Sequence, residues 1–317
     1  MDQDSISLIL YLYWICDFLL VLYGLPTTLD WISPPEFLRE LFLYGKTREA
    51  EVKNPLVKFI EIPKAWFKHY YFYGVIVSSY MVAVTAGCFI FNHDIPGRKF
   101  LMNFIGDRTP VLDEYAVIMI CLMMLFQHCR RIYECIFVSV YSKGTMNILH
   151  YLLGFLLYST VQICAICDGP ALKLSSKEPV PIANRLQTIN FAELVTKHWN
   201  KILGALLFLW ASYHHNQSHE ILANLRKDRS GNKVLHRQHV IPRGGMFEYL
   251  SAPHFVCEML IYIAMGIVAI NSWTFWMGPV LFTITNQALM CNETHKWYNN
   301  NFDNYPKNRC RFIPYIL

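Results

Sequence analysis

The chain has 317 residues, of which 54% are hydrophobic and only 16% charged, and its mean hydropathy is +0.25. A soluble globular domain carries about a quarter charged residues, so an ordinary soluble enzyme is excluded. The net charge of +5 comes with no dense Lys/Arg patch interleaved with aromatics, so no nucleic-acid partner is expected.

The apolar residues gather into runs of about 17 to 22 residues, the length that crosses ~30 Å of hydrocarbon as a helix. In chain order these are Ile6–Leu25, Tyr70–Phe91, Tyr115–Phe126 with its flanks, Ile148–Cys167, Ile202–Tyr213, Phe255–Ile270 and Phe275–Met290, some of them shorter than that length. Helices satisfy their own backbone polar groups in lipid. The expected fold is therefore an all-α integral membrane protein of about seven transmembrane helices. Residues 1–317 form one membrane domain, with N-terminal spans and a first cytosolic segment over 1–110 and a core over 111–317. Met1-Asp2-Gln3-Asp4 lacks a basic n-region, so the first run reads as a span and not a cleaved leader.

Seven spans divide the connecting segments between two sides. The side holding 26–69, 128–147, 214–254 and 292–317 carries about 20 of the 28 Lys and Arg residues. Those segments are expected to be cytosolic, with the N-terminus lumenal and the C-terminus cytosolic. Asn216-Gln217-Ser218 and Asn292-Glu293-Thr294 fit the glycosylation pattern but fall on the cytosolic side, and are discounted. Ten cysteines are scattered, most within apolar runs, where thiols behave as small hydrophobes; Cys164-Ala165-Ile166-Cys167 has no second pair to make a metal site.

Polar groups stand out against this background. His215 and His219, at i and i+4, share a helix face that suits an anionic cofactor or a metal. Glu258 interrupts the apolar run Phe255–Leu260, where a charge normally faces a cavity or a partner. Glu134 follows Arg130 and Arg131 and is expected to pair with one of them. Asp17, inside the first run, reads as a polar contact between helices. No glycine-rich Rossmann or phosphate loop occurs, nor a nucleophile elbow.

The C-terminal half is more specific. Ile241-Pro242-Arg243-Gly244-Gly245-Met246-Phe247-Glu248-Tyr249-Leu250-Ser251, with Glu258 following, resembles the IPxGGxFxYVS stretch of the steroid 5α-reductase family. His295-Lys296-Trp297-Tyr298, Phe302, Tyr305-Pro306-Lys307, Arg309 and Ile313-Pro314 are similar to that family's closing pattern. Tyr44-Gly45-Lys46-Thr47, Arg130-Arg131-Ile132-Tyr133-Glu134-Cys135 and Asn224-Leu225-Arg226-Lys227 look most like its polyprenal (polyprenol) reductase branch.

The resemblance implies an endoplasmic reticulum membrane enzyme that uses NADPH as hydride donor. Its substrate would be polyprenal, a long isoprenoid lipid, reduced at the α-isoprene double bond on the way to dolichol. No obligate protein partner and no metal are implied. Carried over, Glu61 matches a carboxylate that polarises the carbonyl, and His128 falls near a tyrosine proton donor. His215, His219, Asn224, Arg226, Glu258, His295 and Tyr298 are the implied cofactor contacts. Val240 and His254 depart from the family, which has arginine and asparagine there; Arg237 or Arg243 could replace the missing guanidinium. Other readings left open are a 3-oxo-Δ4 steroid reductase, a non-enzymatic seven-span lipid-binding protein, and a di-iron oxygenase built on His214, His215, His219, His236 and His239.

Overall fold

A computed structural model describes residues 4–28, 35–43, 54–105, 109–140, 144–174, 195–227 and 239–312. The helices are α1 (Asp4–Thr28), α2 (Glu36–Phe42), α3 (Pro55–Phe59), α4 (Phe67–Phe89), α5 (Arg98–Ile105), α6 (Glu114–Tyr133), α7 (Ile148–Cys167), α8 (Trp199–Asn224), α9 (Pro253–Val268) and α10 (Leu281–Asn301). Among the described residues, three helical stretches are long and apolar enough to cross a membrane: Lys64–Phe89, Glu114–Val138 and Ile148–Cys167. Leu8–Gly24 and Pro253–Val268 are shorter apolar helices.

The helix ends follow local chemistry. Asp113 caps α6 by accepting from the Ala116 N–H at 2.8 Å, and Asn147 caps α7 through Leu149 N–H at 2.7 Å. Such caps satisfy amides that a helix start leaves without partners. Pro253 occupies the first turn of α9, where its missing N–H removes no helix bond. Two π-helical turns interrupt the regularity: Glu134–Val138 continues α6, and Trp276–Val280, containing Pro279, leads into α10.

One departure from an all-helical fold is a small antiparallel pair, β1 (Glu61–Pro63) with β2 (Thr145–Asn147). Its register sets Glu61 opposite Asn147 and Ile62 opposite Met146. Apolar periodicity cannot announce strands of three residues. The Ile202–Tyr213 run also understates its helix, because α8 carries on through the polar His214–Asn224 stretch.

The principal core joins α1, α4, α6, α7, α8 and α9 around Met124, Ile120, Cys164, Ile261 and Met265, all at or near zero exposure. Large apolar side chains such as Leu8, Phe18, Phe72, Leu122 and Leu206 are exposed, as expected of surfaces that meet lipid. Cys164 and Cys167 are buried free thiols, and Asp17 is buried on α1.

Candidate functional site

Glu258 on α9 stands between a cavity and a ring of hydrogen-bonded side chains. On one side lies a cavity of about 130 Å³ lined by α1, α4, α7, α9, α10 and the π turn before α10. Tyr13, Tyr70, Tyr158 and Tyr262 give it four phenols, Thr283, Asn286 and Gln287 add polar groups, and Glu258 is its carboxylate. Pockets for drug-sized ligands span roughly 300–1,000 Å³, so this space suits a small head group.

On the other side α6 and α8 supply a closed ring of hydrogen bonds. Gln127 donates to Glu258 at 3.0 Å and accepts from Arg130 at 2.6 Å. Arg130 also donates to His215 Nδ1 at 2.9 Å. An arginine can only donate, so Nδ1 is an acceptor and the proton of a neutral imidazole lies on Nε2. That nitrogen faces Glu258 Oε2 at 3.2 Å. The ring thus fixes both the tautomer and the carboxylate.

Glu134 anchors the ring from below. It is fully buried and held by both Arg130 and Arg131, the pairing expected from the sequence. Arg131 also donates to the Tyr71 hydroxyl at 3.2 Å and its guanidinium lies 4.9 Å from that ring. The π turn beginning at Glu134 suits this crowding, since such turns often re-aim side chains at functional sites. Glu134, His215 and His219 present ligand-type atoms within 4.8 Å of one another. A metal there would compete with two guanidinium groups for the same carboxylate, so this set does not fit a di-iron centre. His236 lies outside the described residues.

A second polar group surrounds the start of α9 and the end of α10. Tyr305 donates to Ser251 at 2.7 Å, and Ser251 reaches His295 Nδ1 at 2.6 Å. Tyr298 is buried and stacks on Tyr305 with ring centroids 5.2 Å apart and nearly parallel. Gly244 and Gly245 have φ of +92° and +52°, a region L side chains avoid, which explains the paired glycines of that motif. The Gly244 N–H donates to Glu248 at 2.6 Å. That bond, with Arg309 and Arg243 nearby, holds the Glu248 carboxyl below its usual range. A depressed carboxyl adds stability above its unfolded pKa and loses it as pH falls through the folded value.

The sequence-predicted residues divide accordingly. His215, His219 and Glu258 come together, with the His215 and His219 rings 4.6 Å apart. His254 joins them, 5.6 Å from His219. His295 and Tyr298 belong to the second group. Arg226 donates to the Val140 carbonyl at 2.9 Å and lies within electrostatic range of Tyr298, while Asn224 is exposed at the end of α8 and accepts from Lys227. Arg243 is exposed and pairs with Glu248 at 3.7 Å, and Val240 is exposed. Arg237 lies outside the described residues.

Neither Glu61 nor His128 is among the residues lining the cavity. Glu61 is half-buried on β1. His128 is fully buried, meets Ser78 at 2.8 Å and packs on the Tyr158 ring at 4.7 Å. Sequence reasoning missed Gln127, one residue away, which takes the position beside Glu258. It also missed Tyr262, although an i, i+4 relation to Glu258 was the available signal. Arg309 was quoted only as part of a motif. Its guanidinium is buried, faces Glu248 at 3.8 Å, and has no hydrogen-bond partner among the described residues.

Comparison with known proteins agrees with this arrangement of motifs. The profile of the 3-oxo-5-alpha-steroid 4-dehydrogenase family matches residues 183–317. The chain is 32% identical over 284 residues to polyprenal reductase of Xenopus tropicalis, covering 88% of each chain. It is 31% identical over 305 residues to that of Ailuropoda melanoleuca, covering 92% of this chain and 91% of the relative. It is 30% identical over 303 residues to that of Homo sapiens, with the same coverage. The chain therefore belongs to the steroid 5α-reductase family, within its polyprenal reductase branch.

Proposed function

We propose that this protein reduces the α-isoprene double bond of polyprenal to give dolichal, with NADPH as the reductant, in the endoplasmic reticulum membrane. The observation that carries the reading is Glu258, shared between a small phenol-lined cavity and a ring of Arg, His and Gln side chains. A head-sized cavity among apolar helices suits an aldehyde with one isoprene unit, its tail running into lipid.

The residues present fit a dinucleotide. Arg309 is buried, faces Glu248 at 3.8 Å and makes no hydrogen bond among the described residues, so its guanidinium keeps donors to offer a second anion. Guanidinium matches phosphate in a bidentate fork. We assign Arg309 and Arg226 to the phosphates, Asn224, His295 and Tyr298 to the neighbouring polar contacts, and His215, His219 and Glu258 to the nicotinamide end. NADPH, when bound there, supplies a hydride. The chain's own part is to exclude water, orient the enal and stabilise the negative charge that develops on the carbonyl oxygen.

Glu61 is assigned to the carbonyl end on its match to the family's motif, carried by a strand tied to the start of α7. His128 is reassigned to positioning, because its ring packs on the cavity-lining Tyr158. The chain is taken as one domain of seven spans, the N-terminus lumenal and the C-terminus cytosolic, on the charge bias of its segments.

Membranes containing the protein are expected to convert polyprenal to dolichal only when NADPH is added. Glu61→Gln and Tyr298→Phe should each abolish most of that turnover. Failure of the wild type with polyprenal, but success with a steroid enone, would replace the substrate; failure to bind NADPH would end the reductase reading.

A further inference from the structure

The saturated aldehyde differs from the enal by a hydride on the β-carbon and a proton on the α-carbon, and the assignments above leave that proton without a route. One wall of the cavity suits the task. Thr283, Asn286 and Gln287 all line it, and their spacing of i, i+3 and i+4 places them on one face of α10. They stand inside the apolar run Phe275–Met290, where a polar side chain normally faces a cavity or a partner. The Thr283 hydroxyl donates to the Pro279 carbonyl at 2.8 Å, so its oxygen can still accept. Neither Asn286 nor Gln287 makes a side-chain hydrogen bond to any described residue, and Gln287 Oε1 is buried. A bound water needs about two to four polar partners, and this stripe offers a hydroxyl and two carboxamides. Glu258, to which the nicotinamide end is assigned, belongs to another wall, on α9. A space of about 130 Å³ is only a few water diameters across, so a water on the α10 wall lies beside any head group in the cavity.

We propose that Thr283, Asn286 and Gln287 hold the water that protonates the α-carbon of the bound enal. The inference rests on the reductase reading and leaves the carbonyl end as assigned. Once the β-carbon has gained its hydride, the former double-bond pair lies in an enolate spread over the α-carbon and the carbonyl oxygen. An O–H bond of the water breaks, its proton bonds to the α-carbon through that pair, and the carbonyl re-forms. The hydroxide left behind is held by the amide N–H donors until a proton from solvent restores the water. The balance is enal, hydride and one solvent proton giving the saturated aldehyde. A carboxamide suits the post because it accepts from the water before the transfer and donates to the hydroxide after it. All three are positioning residues, since the water and not a side chain meets the reacting carbon.

The test uses the purified full-length protein in detergent with polyprenal and NADPH, comparing the wild type with Asn286→Leu, Gln287→Met and the double variant. All should bind NADPH as the wild type does, read by quenching of protein fluorescence. The double variant should lower kcat about 10- to 100-fold with little change in KM. Its solvent deuterium effect on kcat should rise above the wild-type value, because protonation has become the slow step, while the effect of deuterium at the nicotinamide C4 of NADPH does not rise. Each single variant should show the same pattern at a smaller loss of rate. Thr285→Val, on the same helix but not among the residues lining the cavity, should keep the wild-type rate and isotope effects. Unaltered turnover in the double variant, a loss carried by KM, or a slower reaction whose solvent effect stays put or whose C4 effect rises would each overturn the assignment. If the wild type itself fails to reduce polyprenal, it is the underlying reading that falls.

Discussion

Glu134 shows at the scale of a single residue what burial does to a charge. Arg130 and Arg131 both bind it, and breaking a buried pair by removing one partner costs about 3–5 kcal/mol because the other charge is left uncompensated. Glu134→Ala is expected to lower thermal stability in detergent by an amount in that range, and Glu134→Gln by less. Gln127→Ala should act differently. It opens the ring around Glu258 without stranding a charge, so NADPH affinity falls while the unfolding temperature stays close to wild type. Gly74 is a third case, since a Cβ there would lie 2.8 Å from the His128 ring. Gly74→Ala should cost about 1–3 kcal/mol through overpacking, measurable as a lower unfolding midpoint.

Among the elements, the small sheet matters more than its length suggests. Asn147 is buried, caps α7, and lies opposite Glu61 in the register. Asn147→Ala should remove about 1 kcal/mol of capping and reduce kcat. Asn54→Ala, which removes the cap of α3, should cost similar stability with activity retained. The long helices were legible because apolar runs of span length leave few alternatives. The His215–His219 pair was legible because α8 continues through it with helical spacing. Glu258 was legible as a charge in an apolar run, and its burial of all but 17% of the side chain agrees. What could not be read was pairing at a distance. Gln127 meets Glu258 across 131 positions and Tyr13 meets Thr160 across 147, and nothing in the local pattern of either residue names its partner. His128 was named from the resemblance alone, and it is its neighbour Gln127 that meets Glu258, while His128 meets Ser78.

Across the whole molecule, α9 joins the cavity to the hydrogen-bonded ring. Its Glu258 face meets the cavity formed with α1, α4, α7 and α10, and also the ring formed with α6 and α8. The C-terminal segment folds back to α9 through the Leu250–Cys310 bridge and the Ser251 N–H to Cys310 carbonyl bond at 3.1 Å. That return brings Arg309 and Tyr305 to the motif carrying Gly244 and Gly245. The orientation is testable at this scale. A glycosylation acceptor fused before Met1 should be modified in microsomes, and one fused after Leu317 should not; the reverse pattern would invert the topology.

The most direct measurement is transfer of label from NADPH deuterated at the reactive C4 position of its nicotinamide, with polyprenal as substrate and dolichal read by mass spectrometry. The account predicts one deuterium per product, at the β-carbon of the former double bond, and one solvent-derived hydrogen at the α-carbon. Deuterium at the aldehyde carbon, giving an unsaturated alcohol, or none in any product, would contradict it.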